Sequence, residues 1–124
     1  MVCSFDQSKR GPKVEIEENA ERCQLSYRLS YFLRPIMSTL IEPERYFNSF
    51  DFVASFSSIE HSGLGRYDDP IDPIGDIREM QKISCILKPG GIFFLGIPVG
   101  QDDVGINCHR TYGRIRLPLM FAGC

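Results

Sequence analysis

The stretch FDFVASFSSIEHSGLGRYDDPIDPIGDIREMQKISCILKPGGIFFLGIPVG, residues 50–100, decides the fold. It opens with Phe50, Phe52, Ala54 and Phe56 alternating with Asp51, Val53, Ser55 and Ser57, the period of two that marks a strand over Phe50 to Ser58. Asp72 and Pro73 then offer an N-cap and a first-turn proline. Behind them Ile74, Ile77, Met80, Ile83 and Leu87 form one apolar stripe opposite Arg78, Glu79 and Lys82, which predicts an amphipathic helix facing a sheet. Lys88-Pro89-Gly90-Gly91 stops that helix. Ile92 to Val99 follows as a nearly continuous apolar strand, the pattern of a strand buried on both faces. Strand, helix and strand in this order predict a βαβ unit with parallel strands.

That topology carries a functional expectation. In open α/β sheets ligands bind outside the carboxyl ends of the strands. Here those ends carry SSIEHSGLGRYDD and PVGQDDVGINCHRTYG, so both polar loops fall on one edge. The first is longer than the roughly 2–6 residues of an ordinary βα connection, and long loops in compact domains are commonly functional.

Working outward, residues 1–14 read as a disordered tail and 15–124 as one domain. Helix formers run from Glu15 to Leu33, with Leu25, Leu29, Phe32 and Leu33 at helical spacing and Pro35 as a stop. A second helical turn is expected at Pro43-Glu44-Arg45. The 124 residues are 43% hydrophobic and 24% charged, an ordinary globular composition. A formal charge of −2 leaves no basic field for a nucleic-acid backbone. The longest apolar run, Ile92 to Val99, is too short to span a membrane. The N-terminus shows no apolar signal core after its charges, and the five cysteines lack any CxxC pair. Free thiols in a cytoplasmic protein are the expectation.

Taken together, FDFVASFSSIEH, the amphipathic helix and ILKPGGIFFLGIP resemble the second half of class I S-adenosylmethionine-dependent methyltransferases, over about half of the chain. More narrowly, SIEHSGLGRYDDPIDPIGD and NCHRTYG resemble an uncharacterised, mainly nematode domain-of-unknown-function family of the DUF268 type. The resemblance implies an α/β, partial Rossmann-like methyltransferase fold, a parallel βαβ unit with flanking helices, truncated at both ends. It implies S-adenosylmethionine as cofactor of the complete fold only. The glycine-rich loop after the first strand of that fold and the acidic residue after the second are missing. Gly63-Leu64-Gly65 does not replace them, because it follows the wrong strand and precedes Asp69-Pro70 rather than a helix. Asp68 stands where the narrower family pattern has glycine, and Pro118 interrupts or ends an expected helix.

By this resemblance Glu60 and His61 sit where a general base for methyl transfer would lie; alone, they read first as a loop-ordering carboxylate and a histidine packed at a strand end. Arg66, Tyr67, Asn107, His109, Arg110 and Tyr112 are the candidate substrate contacts, although Arg66 beside Asp68 and Asp69 also reads as an intraloop ion pair. Ser57 and Ser58 line the cleft at the strand end and are the candidate cofactor contacts. If residues 107–109 are extended, Asn107 and His109 point one way and Cys108 the other, which argues against a Cys108-His109 nucleophile pair. His61, His109, Asp72 and Asp102 lack the short paired spacings of a metal site. Two readings follow. One is a methyltransferase-like protein acting on an unknown small-molecule or macromolecular substrate in a longer form. The other is a non-catalytic remnant or partner-binding module that self-associates through exposed sheet edges.

Overall fold

The computed structural model describes residues 2–4 and 46–122, of which 2–4 are described by backbone only. The helix expected over Glu15–Leu33 and the turn at Pro43 lie outside these residues. In chain order the elements are β1 (Val2–Ser4), β2 (Phe50–Phe56), a 3-10 turn (Ile59–His61), α1 (Gly75–Ile86), β3 (Leu87–Gly96), β4 (Asp103–Val104), β5 (Arg110–Thr111) and α2 (Arg116–Met120).

Strands β2 and β3 pair in parallel with α1 between them, as the sequence pattern predicts for a small α/β domain. Phe56 is the register partner of Gly96, so the two strands end level and their following loops leave from the same edge. On the far side of β3, β1 pairs antiparallel, with Val2 opposite Phe94 and Ser4 opposite Ile92. Three residues of the expected N-terminal tail are therefore strand. β4 and β5 form a separate antiparallel pair.

Three local expectations need correction. The second strand starts at Leu87 rather than Ile92 and stops at Gly96 rather than Val99. Its first half is irregular: Phe50 pairs with Leu87 and Phe52 with Ile92, so the Lys88–Gly91 segment bows out opposite Asp51 alone. Gly90 has a φ of 78° and Gly91 carries no side chain where a Cβ would meet the Lys88 carbonyl at 2.9 Å, so the two glycines, expected as the helix stop, instead permit the excursion within β3. The helix starts at Gly75, with Ile74 rather than Asp72 at its cap. Asp72 spends its cap-forming groups on a preceding turn: its Oδ1 accepts from the Ile74 amide and its carbonyl from the Gly75 amide. Finally, Glu79 and Lys82 are buried, while Ile74 is exposed. They form an ion pair of 2.6 Å one helical turn apart, which offsets part of the cost of burying each charge.

The core lies between α1 and one face of the sheet. Ile83 and Met80 of α1 meet Phe93 and Leu95 of β3, closed below by Leu87 and above by Ile59, Tyr112 and Met120. Each such aliphatic or aromatic side chain withdrawn from water stabilises the fold by about 1.5–3 kcal/mol. Pro118 lies within α2 without breaking it. It falls in the first turn, where its missing N–H has no intrahelical acceptor to lose.

Candidate functional site

Beyond the level ends of β2 and β3, the chain builds one cluster from two loops. Ser57 turns out of β2 with a left-handed φ of 47°, and its hydroxyl donates to Glu60 Oε1 at 2.8 Å. Ile59–His61 then make the 3-10 turn, which buries Glu60 to 1% exposure and leaves His61 partly exposed beside it. Glu60 Oε2 is buried with no hydrogen-bond partner. The Glu60 Oε1 and His61 Nε2 atoms are 3.9 Å apart.

His61 reaches the second loop. Its Nδ1 lies 2.6 Å from the Cys108 carbonyl, and since a carbonyl only accepts, that nitrogen carries the proton. Neutral His61 therefore keeps an unprotonated Nε2. The Asn107 amide donates to the Leu64 carbonyl at 2.8 Å, a second tie between the loops. The rings of Tyr67 and His109 stand edge-on to His61, at centroid distances of 5.6 and 6.2 Å, and Arg66 lies over Tyr67. Glu60, His61, Tyr67, Asn107 and His109 are thus brought together, with Ser57 at the base and Arg66 at the rim. Ser58 precedes the 3-10 turn without a side-chain cap bond.

Arg110 and Tyr112 are placed differently. Arg110 is 1% exposed and donates Nη1 to the Ser62 carbonyl at 2.5 Å and Nη2 to the Asp72 carbonyl at 3.0 Å. Burial lowers its guanidinium's proton affinity, and the charge of Asp76, 3.7 Å from Nε, opposes that. The Tyr112 hydroxyl donates to Asp76 Oδ2; burial, and then the Asp76 charge, raise its pKa. Arg116 completes this knot by donating Nε and Nη2 to the same carboxylate. Both side chains spend their polar ends inside the fold, holding the first loop against α1, α2 and β5.

Sequence reasoning missed two carboxylates that shape the loops. Asp69 Oδ2 accepts from the Gly63 and Leu64 amides at 2.6 and 3.1 Å, and Oδ1 from the Tyr67 amide. Burial pushes its carboxyl up, but the amides of Tyr67, Gly63, Asp69 and Gly65 outweigh it and hold the group below its ordinary value. Asp102 accepts from the Gly113, Ile115 and Arg116 amides and so caps α2 across the hairpin. With Asp72 and Asp102 engaged by backbone, no group of three potential metal ligands gathers among the described residues.

The argument against a Cys108-His109 contact is corrected. Cys108 Sγ lies 3.2 Å from His109 Nδ1. Residues 105–108 are not extended: Asn107 has a φ of 58°, and the Cys108 amide closes a turn onto the Gly105 carbonyl. Gly105 and Asn107, at turn-favouring positions, were the available signal. Cys108 is a free thiol, whereas Cys85 is disulfide-bonded, which corrects the expectation of free thiols there.

Fold and loop cluster together define a small α/β domain with a parallel strand pair whose carboxyl ends carry a joined polar site. No curated protein and no solved structure matches the chain. The family model described as "Caenorhabditis protein of unknown function, DUF268" matches residues 13–124, and the chain belongs to that family. No helix among the described residues is long and apolar enough to cross a membrane.

Proposed function

We propose that this chain is the acceptor-side part of a methyltransferase-like α/β domain, holding a hydroxyl-bearing ligand at Glu60 and His61 without holding S-adenosylmethionine by itself. The observation that carries the reading is the His61–Cys108 hydrogen bond, which fixes an imidazole acceptor at the carboxyl edge of two parallel strands. A ligand hydroxyl can donate to His61 Nε2. The unpartnered buried oxygen of Glu60 is the kind of group that seeks a donor.

The described residues do not fit the cofactor. A glycine-rich cradle works by offering free amides, yet the Gly63 and Leu64 amides are already donated to Asp69. A Cβ at Gly63 would lie 2.4 Å from the Asp72 carbonyl oxygen, so this glycine serves the loop's own closure. The same disagreement supports the second reading, a non-catalytic module that meets another protein or a copy of itself through the edge of β2 that no strand among the described residues pairs.

Amide and imidazole chemical shifts of the labelled chain test the proposal, with catechol and S-adenosylhomocysteine as probes. Catechol is expected to shift His61, Tyr67 and His109, and the shifts vanish in His61→Ala. S-adenosylhomocysteine is expected to leave the spectrum unchanged. Silence at these residues with catechol overturns the acceptor-side reading; saturable shifts with S-adenosylhomocysteine overturn its cofactor clause.

A further inference from the structure

We infer that Cys108 and His109 form a nucleophilic thiol–imidazole pair whose substrate is a small disulfide. Cys108 is free and partly exposed, and its Sγ lies 3.2 Å from His109 Nδ1. Neighbours in extended chain send their side chains to opposite sides and cannot make this contact. Here the turn makes it: Asn107 has a left-handed φ of 58°, and the Cys108 amide donates to the Gly105 carbonyl. Gly105 also leaves room beside the thiol, since a Cβ there would lie 3.0 Å from Cys108 Cβ and 3.8 Å from Sγ. The pair stands on fixed backbone. The Gly105 amide donates to the His109 carbonyl at 3.0 Å, the Asn107 amide to Leu64, and His61 to the Cys108 carbonyl. A nucleophile and base held in this way lose little freedom in reaching the reacting geometry.

The two histidines divide the work. His61 commits its Nδ1–H to the Cys108 carbonyl, so that nitrogen cannot take the thiol proton. His109 Nδ1 can, in the tautomer that carries its own proton on Nε2. The surroundings of the sulfur name the substrate class. Acyl transfer needs amides free to hold an oxyanion, but the Asn107 and Cys108 amides are already donated to the Leu64 and Gly105 carbonyls. Disulfide exchange needs no such hole, because its charge stays on sulfur. His109 Nδ1 takes the Cys108 proton, the thiolate attacks one sulfur of the disulfide, and the new S–S bond forms as the old one breaks. The departing thiolate takes the proton from His109. Cys108 is oxidised to a mixed disulfide, and the departing half is reduced to a thiol. This chemistry does not depend on the ligand proposed for Glu60 and His61.

Mass spectrometry of the Cys108 peptide from the full chain tests the inference at neutral pH. An ordinary thiol is only a few per cent thiolate there, so Cys108 is expected to react with iodoacetamide about tenfold faster in the folded chain than in urea. His109→Phe keeps a ring but lacks the base. It is expected to abolish that advantage while exchange protection in α1 persists. Hydroxyethyl disulfide is expected to add to Cys108 with the same dependence on His109. Three results overturn the inference: a Cys108 no faster folded than in urea, an advantage that survives His109→Phe, or fast alkylation without a mixed disulfide. If His109→Phe does not fold, His109→Ala gives the same readout, with the rate expected to fall and to recover on adding free imidazole; failure to recover counts against the pair.

Discussion

His61 donates its Nδ1–H to the carbonyl of Cys108 across 2.6 Å and 47 residues of sequence. This bond ties the loop after β2 to the hairpin after β3, and fixes which ring nitrogen is left to accept.

Replacing His61 with Ala removes that tie. A hydrogen bond of this type is worth about 0.5–1.5 kcal/mol net, so the hairpin's opening equilibrium rises by up to roughly tenfold. Hydrogen exchange at the Asn107 and Gly105 amides reads the change, with amides of α1 as the unaffected reference. Equal exchange in both proteins would show that the bond does not hold the hairpin.

Asp76 is fully buried and receives Arg116 and Tyr112, with Arg110 close by. Asp76→Ala leaves buried positive charge without its partner, which costs about 3–5 kcal/mol. Tyr112→Phe removes one donor and costs about 1–3 kcal/mol. Urea unfolding monitored by circular dichroism ranks the two, and a Tyr112→Phe loss as large as that of Asp76→Ala would contradict the knot described here.

The Asp69 carboxyl is held below its ordinary value of 3.8, so it binds protons more weakly in the folded chain than in the unfolded one. Its stabilising contribution is complete above the unfolded value and is lost as pH falls through the lower folded value. Asp69→Asn is therefore expected to lose stability relative to the parent at neutral pH, with the gap narrowing below about pH 4. Thermal unfolding across that range checks the sign; a gap that widens in acid would be the wrong one.

Asp68 has a left-handed φ of 62° on an exposed part of the loop. Glycine adopts this conformation without strain, so Asp68→Gly is expected to stabilise the chain by about 0.5–1 kcal/mol. Gly63→Ala, which drives a Cβ into the Asp72 backbone, is expected to destabilise it. Melting temperatures of the two variants should move in opposite directions.

The parallel pair, the helix between its strands and the shared loop edge were legible because periods of two and 3.6 are written directly into residues 50–96. The left-handed φ of Asp68 falls at the position where the family pattern has glycine, the residue that adopts it without strain. Less visible were features set by backbone closure. Nothing local announces that the Asp69 carboxylate will take amides from Gly63, Leu64 and Tyr67, or that Asp102 will cap a helix 14 residues further on. Glu79 and Lys82 misled because a charged pair on a helix reads as solvated, and only tertiary packing decides that it is buried. The Cys108-His109 contact was lost by treating a Gly105–Asn107 turn as extended chain.

The outward bow at Lys88–Gly91 works as an expansion joint in the sheet. Four residues there answer a single Asp51, so a residue gained or lost within the bow can be taken up locally, leaving Ile92 opposite Phe52. Downstream there is no such slack. Deleting one residue between Ile92 and Gly96 would reverse the alternation and turn a core side chain toward water. Insertions and deletions should therefore be tolerated at the start of β3 and lethal to folding in its second half, which divides one strand into an adjustable segment and a fixed one.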